Sequence, residues 1–148
     1  MRDPITLRRA YADDLDFCQG HYEEAMRPAV ERLFGWDQAR QDESFRRQWA
    51  VEEVSIIASD GIDIGWMQVA QGDGILFLKQ IHLARDFHNR RIGTRVLWGL
   101  LDQAKRRGIA VTLGVMKDNP ARRLYDRLGF RPTHEDAHKV YLRRDPDA

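Results

Sequence analysis

Asn119-Pro120-Ala121-Arg122-Arg123-Leu124-Tyr125-Asp126-Arg127-Leu128-Gly129-Phe130 is the stretch from which the fold can be read. An asparagine at a helix N-cap accepts a hydrogen bond from an otherwise free N–H of the first turn. Proline at the first helical position loses nothing, because its missing donor would be unpaired there anyway. Ala121, Leu124, Tyr125 and Leu128 recur at i, i+3, i+4 and i+7, which places them on one face. Gly129 then terminates the helix. Helix physics by itself calls for neither Tyr at 125 nor Phe directly after the terminating glycine.

Working outward, the second half alternates helix and strand. Val111 to Val115 is short, apolar and bounded by turn signals, as a buried strand is. Before it, Gly93 to Arg107 carries Val96, Leu97, Leu100, Leu101 and Ala104 at helical spacing, and Gly108 ends the run. After it, Phe130 to Glu135 and His138 to Arg143 read as a closing pair of strands. A strand–helix–strand unit around Gly93 requires parallel pairing. The first half differs. Ile5 to Arg8 alternates like a half-buried strand, and Asp13 and Asp14 open a helix with Leu15, Phe17, Cys18 and Tyr22 on its apolar side. Met26-Arg27-Pro28 predicts a break, because the residue before proline is pushed out of the α region. A second helix then runs from about Pro28 to Phe34, and a charged third from Asp37 to Trp49. Val54 to Ala58, Ile62 to Val69 and Ile75 to Leu83, joined by Ser59-Asp60-Gly61 and Gly72-Asp73-Gly74, predict an antiparallel meander.

At 148 residues the chain is long enough for one core and too short for two, so a single domain over 1–148 is expected. Hydrophobic residues make up 43%, which favours a packed globule over disorder. Lys plus Arg number 24 against 23 Asp plus Glu, and that balance argues against a dedicated nucleic-acid binder. No apolar run reaches membrane-spanning length, and the N-terminal residues lack the apolar stretch of a signal peptide. Cys18, the one cysteine, allows no internal disulfide, which suits a reducing, cytoplasmic setting. It reads as a buried structural thiol. His134 and His138 lack third and fourth partners for a metal, so no metal site is expected.

A further segment, Phe87-His88-Asn89-Arg90-Arg91-Ile92-Gly93-Thr94, leads from a strand into a helix N-terminus. Free N–H groups and the positive end of the macrodipole make such a place fit for an anion, and two arginines add charge. Taken together, the two segments resemble the signature motifs of the GNAT superfamily of acetyl-CoA-dependent N-acetyltransferases. The first is similar to the pyrophosphate loop Gln/Arg-x-x-Gly-x-Gly/Ala. The second is similar to the helix Asn-x-x-Ala-x-x-Leu-Tyr-x-x-Leu-Gly-Phe. The order of elements is also similar over nearly the whole chain. The resemblance implies an α/β (mixed α+β) fold: a mixed, mostly antiparallel sheet flanked by helices, with a parallel strand pair at the cofactor site. It implies acetyl-CoA as donor and an amine as acceptor.

Carried over position by position, His88 stands where the family often has Gln or Arg, and Gly93 matches the second glycine. Arg91 replaces the first glycine; it can offer its N–H at negative φ, whereas a positive φ would strain it. The resemblance implies that the N–H groups of Arg90, Arg91, Ile92, Gly93 and Thr94 face the diphosphate, and that His88 and Asn89 also bind the cofactor. It implies that Ile81 pairs its backbone with pantetheine, that the Leu83 amide holds the acetyl carbonyl, and that Asn119 contacts the cofactor. Tyr125 matches the residue assigned to the departing thiolate. Reference pKa values of about 10 and about 8.5 make a hydrogen bond to the developing thiolate a safer statement than full proton donation. The base that frees the amine stays open among His82, Glu23, Glu24, Glu31 and solvent.

Acceptor specificity is expected from the first helices, with Tyr22, Arg27, Glu31 and Trp36 around the proline break. Arg27 could hold a carboxylate, or pair structurally with Glu23 or Glu31. Trp36, Trp49 and Trp98 read mainly as core, while Trp66 could face the cleft. A small-molecule amine is the favoured acceptor. A protein N-terminus or lysine, or a silent acetyl-CoA-binding module, are the alternatives. Edge strands of the final hairpin could pair two subunits in a homodimer.

Overall fold

The computed structural model describes residues 4–88 and 91–148. Among the described residues, seven strands form one mixed, mostly antiparallel sheet in the order β1-β2-β3-β4-β5-β7-β6. They are β1 (Ile5–Arg9), β2 (Val54–Ser59), β3 (Ile62–Gly72), β4 (Ile75–Leu83), β5 (Ala110–Met116), β6 (Arg131–Glu135) and β7 (Lys139–Arg144). The helices are α1 (Leu15–Phe34), α2 (Gln38–Gln48), α3 (Ile92–Arg107) and α4 (Ala121–Arg127). The chain divides into two compact units, one of Met1–Gln68 and Gln80–Arg90, the other of Val69–Lys79 and Arg91–Ala148. Among the described residues no helix is long and apolar enough to cross a membrane.

In the first unit, β1 pairs antiparallel with β2, and β2 with β3. The β2–β3 hairpin turns on Asp60 (φ 53°) and Gly61 (φ 78°), the two consecutive positive φ values that a tight primed turn demands. Ala10, Cys18, Phe45, Val54, Ile56 and Trp66 form the buried cluster beneath α1 and α2, with Phe17, Tyr22 and Trp49 packed against it. The guanidinium of Arg8 grips both carboxylate oxygens of Asp14 at 3.0 Å and reaches Asp63 at 2.9 Å. This joins the first strand to the start of α1 and to the hairpin.

The expected break at Met26-Arg27-Pro28 does not occur. α1 runs unbroken through Pro28 to Phe34, and Gly35 (φ 77°) ends it. Proline inside a helix removes one donor and disfavours the α region before it, a local bias of about 3 kcal/mol. Here the bias is overridden. Residues before the proline are anchored in the core, and an i,i+4 ion pair between Arg27 and Glu31 (2.7 Å) spans it.

In the second unit, β4 and β5 pair in parallel from Ile75↔Ala110 to Leu78↔Leu113. The crossover is α3, which buries Ile92, Val96, Leu97, Leu100, Leu101 and Ala104 along one face and ends at Gly108 (φ 67°). Trp98 is not core, contrary to its helical neighbours' promise. It is half-exposed, 5.9 Å from the Arg144 guanidinium, because the apolar stripe of α3 is already filled by Leu97 and Leu101 on either side of the turn. β5 pairs with β7 and β7 with β6, both antiparallel, leaving β6 as an edge strand whose five residues are all exposed.

Candidate active site

β4 outlasts its pairing with β5 by five residues, from Lys79 to Leu83. The Ala84 N–H reaches Ile64 O on β3 at 2.7 Å. Since successive residues of a strand address opposite neighbours, the N–H and C=O of Leu83 turn away from β3. The previous carbonyl, that of His82, points at Gly65 on β3, where a Cβ could not fit. The Leu83 N–H therefore turns away from β3. The Leu83 carbonyl receives the Nε2–H of His88 at 2.9 Å.

His82 lies on the opposite face from Ile81 and Leu83. Its ring closes a circle of four aromatic residues: Tyr22 to Phe45 at 5.3 Å, Phe45 to Trp66 at 5.8 Å, Trp66 to His82 at 5.4 Å, and His82 to Tyr22 at 5.8 Å. Burial, with repulsion from His21, pulls its pKa down to about 4, so the ring is neutral at physiological pH. Its Nε2 lies 2.6 Å from Gln80 Oε1. Trp66 is fully buried in this circle and does not face a cleft. The periodicity of β3 could not reveal this, because the burial depends on rings supplied by α1, α2 and β4.

Of the four acceptor positions, three gather. Arg27 pairs with Glu31 and lies 4.9 Å from the Trp36 ring, whose indole N–H donates to Gln38 at 3.0 Å. Tyr22 stands apart in the ring circle. Arg27 and Glu31 therefore sit on a continuous helix and not around a break, with Trp36 in the connection just beyond its end. Cys18 is fully buried and its thiol is pushed up to about 12 by burial, so it holds no ready thiolate. Among the described residues, no group of three or more His, Cys, Asp or Glu could hold a metal ion.

The second unit carries Arg91, Ile92, Gly93, Thr94, Asn119 and Tyr125. Asn89 and Arg90 lie outside the described residues. Arg91 stands at the N-cap of α3 in the left-handed region (φ 60°, ψ 17°) with no side-chain cap on the helix. Its carbonyl accepts the Arg95 N–H at 3.0 Å, so the N–H groups of Ile92, Gly93 and Thr94 precede the first intrahelical bond and point out of the helix end. No acidic side chain occupies that first turn. Left-handed backbone strains an arginine, at a cost of roughly 1–2 kcal/mol that glycine would not bear.

α4 begins one residue later than expected, at Ala121, and Asn119 Oδ1 accepts the Ala121 N–H at 2.9 Å. Its other end carries a Schellman cap. Phe130 N–H reaches Tyr125 O at 3.1 Å, and Gly129 N–H reaches Asp126 O at 3.2 Å, with Gly129 at φ 93°. An apolar contact between the outermost two of these positions commonly accompanies that motif. Tyr125 and Phe130 make it, 5.7 Å apart edge to face, both buried. Helix-capping physics does after all account for an aromatic pair at 125 and 130. Burial raises the Tyr125 pKa, so its hydroxyl stays protonated.

The model of the acetyltransferase (GNAT) family matches residues 12–130. The chain belongs to the GNAT acetyltransferase family. Acetyl-CoA is the cosubstrate of that family. Solved GNAT structures share the fold over nearly the full chain. The PaiA N-acetyltransferase of Thermoplasma acidophilum, solved with coenzyme A, superposes with a TM-score of 0.76 at 16% identity, covering 96% of this chain and 99% of its own. The ribosomal-protein-S18-alanine N-acetyltransferase of Escherichia coli gives 0.68 at 17% identity, covering 96% and 94%. Ard1 of Thermoplasma volcanium gives 0.70 at 15%, covering 95% and 97%. No curated protein sequence matches significantly. Within this GNAT chain, the left-handed Arg91 falls at the position of the family motif's first glycine. Sequence reading did not foresee the His88–Leu83 contact or the aromatic circle, and no local signal announces either.

Proposed function

We propose that this GNAT protein transfers the acetyl group of acetyl-CoA to a primary amine, a small molecule by preference, through direct attack in a ternary complex. The observation that carries the reading is the start of α3: a side-chain-uncapped helix end, free of acidic residues, entered through a left-handed residue. Such an end holds a diphosphate by its N–H groups and dipole. The N–H groups of Ile92, Gly93 and Thr94, with those of Arg90 and Arg91 and the adjoining Asn89, serve that role. Ile81 pairs with the pantetheine arm, and Asn119 contacts the cofactor while capping α4. The Leu83 N–H polarises the acetyl carbonyl and stabilises the tetrahedral oxyanion. Tyr125 hydrogen-bonds the departing thiolate with its protonated hydroxyl.

Cys18, buried and with its thiol held at about 12, supports direct attack over an acetyl-enzyme. His82 is a poor choice of base. A group with a pKa of about 4 facing an ammonium of about 10 would leave proton transfer uphill by on the order of 8 kcal/mol. The amine therefore arrives neutral or loses its proton through water. Tyr22, Arg27, Glu31 and Trp36 remain the proposed acceptor contacts, with Arg27 released from Glu31 when it meets substrate. The E. coli enzyme's acetylation of a protein alanine keeps an N-terminal acceptor as the second reading.

Calorimetric titration with acetyl-CoA, with NAD as control, tests the donor site without knowledge of the acceptor. Saturable binding that weakens when Gly93 is replaced by leucine is the expected result. No binding to folded protein would end the assignment. Thiol release across a panel of small amines and peptides would then separate the two acceptor readings.

A further inference from the structure

The residues after β4 fold straight back on the strand. Phe87 N–H reaches Ala84 O at 2.9 Å, and His88 N–H reaches Arg85 O at 3.1 Å. The turn closes with the His88 ring against the strand end, its Nε2 2.9 Å from the Leu83 carbonyl oxygen. A carbonyl oxygen only accepts, so Nε2 carries the proton in this contact.

Leu83 presents its N–H and C=O to the same side, away from β3. A bare carbonyl there would set its lone pairs beside the donor and repel any acceptor oxygen brought to the Leu83 N–H. The geometry points to His88 as a positioning residue for acetyl transfer: its Nε2–H covers the Leu83 carbonyl and holds the strand end so that the Leu83 N–H meets the acetyl oxygen. This rests on the reading of Leu83 N–H as the acetyl-holding donor. His88 acts at the acetyl end of the cofactor, not at the diphosphate, where its place in the motif would put it.

The test compares CoA with acetyl-CoA labelled with carbon-13 at the acetyl carbonyl. In the His88→Ala protein, CoA should bind as to wild type. The preference for acetyl-CoA over CoA should fall roughly five-fold, the size of one hydrogen bond. The downfield displacement of the bound carbonyl resonance should shrink at the same time. His88→Gln, which keeps a donor of similar reach, should restore both. If the alanine variant unfolds, His88→Asn, polar but too short to reach Leu83, supplies the comparison. Equal weakening of CoA and acetyl-CoA would make His88 a diphosphate ligand and overturn the inference, as would an unchanged resonance and preference. Wild-type protein that binds neither ligand would overturn the donor reading itself, and this inference with it.

Discussion

Gly65 on β3 lies hard against the backbone of His82 and Leu83 on the neighbouring strand β4. A Cβ at residue 65 would run into the His82 carbonyl oxygen, and would stand 2.9 Å from Leu83 Cδ2 and 3.0 Å from Leu83 Cα. Backbone cannot step aside as a side-chain end can. Gly65→Ala should therefore cost at least about 2 kcal/mol in urea unfolding and displace the end of β4. Gly114→Ala is the control: its Cβ would meet side chains only, the ring edge of Tyr141 at 3.0 Å and Lys139 Cδ at 3.8 Å, and no backbone. Equal losses in the two variants would mean that the close approach at Gly65 relaxes freely.

Two substitutions at Tyr125 separate chemistry from capping. Tyr125→Phe keeps the ring against Phe130 and should leave stability and acetyl-CoA affinity near wild type while lowering turnover ten-fold or more, on the order expected for loss of an acid–base partner. Tyr125→Ala also empties the buried contact and should cost about 3 kcal/mol or more. Turnover unchanged in the phenylalanine variant, with chemistry rate-limiting, would remove Tyr125 from the mechanism and leave it as part of the cap.

Arg91→Gly places the residue that left-handed backbone favours at the mouth of α3. Release of roughly 1–2 kcal/mol of strain is partly offset by the greater freedom of glycine in the unfolded chain. Unfolding stability should hold or rise by up to about 1 kcal/mol, whereas Arg91→Val should lose stability. A marked loss in the glycine variant would show that the arginine side chain, and not the loop conformation, is what the position needs.

The depressed pKa of His82 makes stability sensitive to acid. Between about 6.5, the unfolded value, and about 4, the unfolded chain binds a proton that the folded chain refuses. The stabilisation is complete above pH 6.5 and is lost as pH falls toward 4, by up to about 3 kcal/mol. The lowered Asp14 carboxyl acts in the same direction at still lower pH, because its ion pair with Arg8 fails on protonation. Urea midpoints measured from pH 7 to 4.5 should fall in the wild type and flatten in His82→Phe. Parallel curves would place the acid sensitivity elsewhere.

Most elements were legible locally. Hairpin turns, the helix ends at Gly108 and Gly129 and the buried stripe of α3 rest on periodicity and on residues suited to positive φ, which neighbours in sequence decide. The Pro28 break failed on the same logic, since a local bias of a few kcal/mol lost to packing and to an ion pair beyond its window. Trp66 and Trp98 exchanged roles for a related reason: whether a tryptophan is buried depends on which distant elements cover it.

The amino-acid sequence alone determined the order of elements and the two motifs that place the chain among GNAT acetyltransferases, because hydrogen-bond periodicity and capping are short-range. Only the tertiary structure decided that Arg91 takes left-handed backbone, that His82 is sealed in a ring of aromatics as a neutral imidazole, and that His88 turns back onto Leu83. The aromatic seal depends on side chains that the sequence keeps far apart. The turn of His88 onto Leu83 depends on how residues 84–87 leave the end of β4, and no residue pattern encodes that turn.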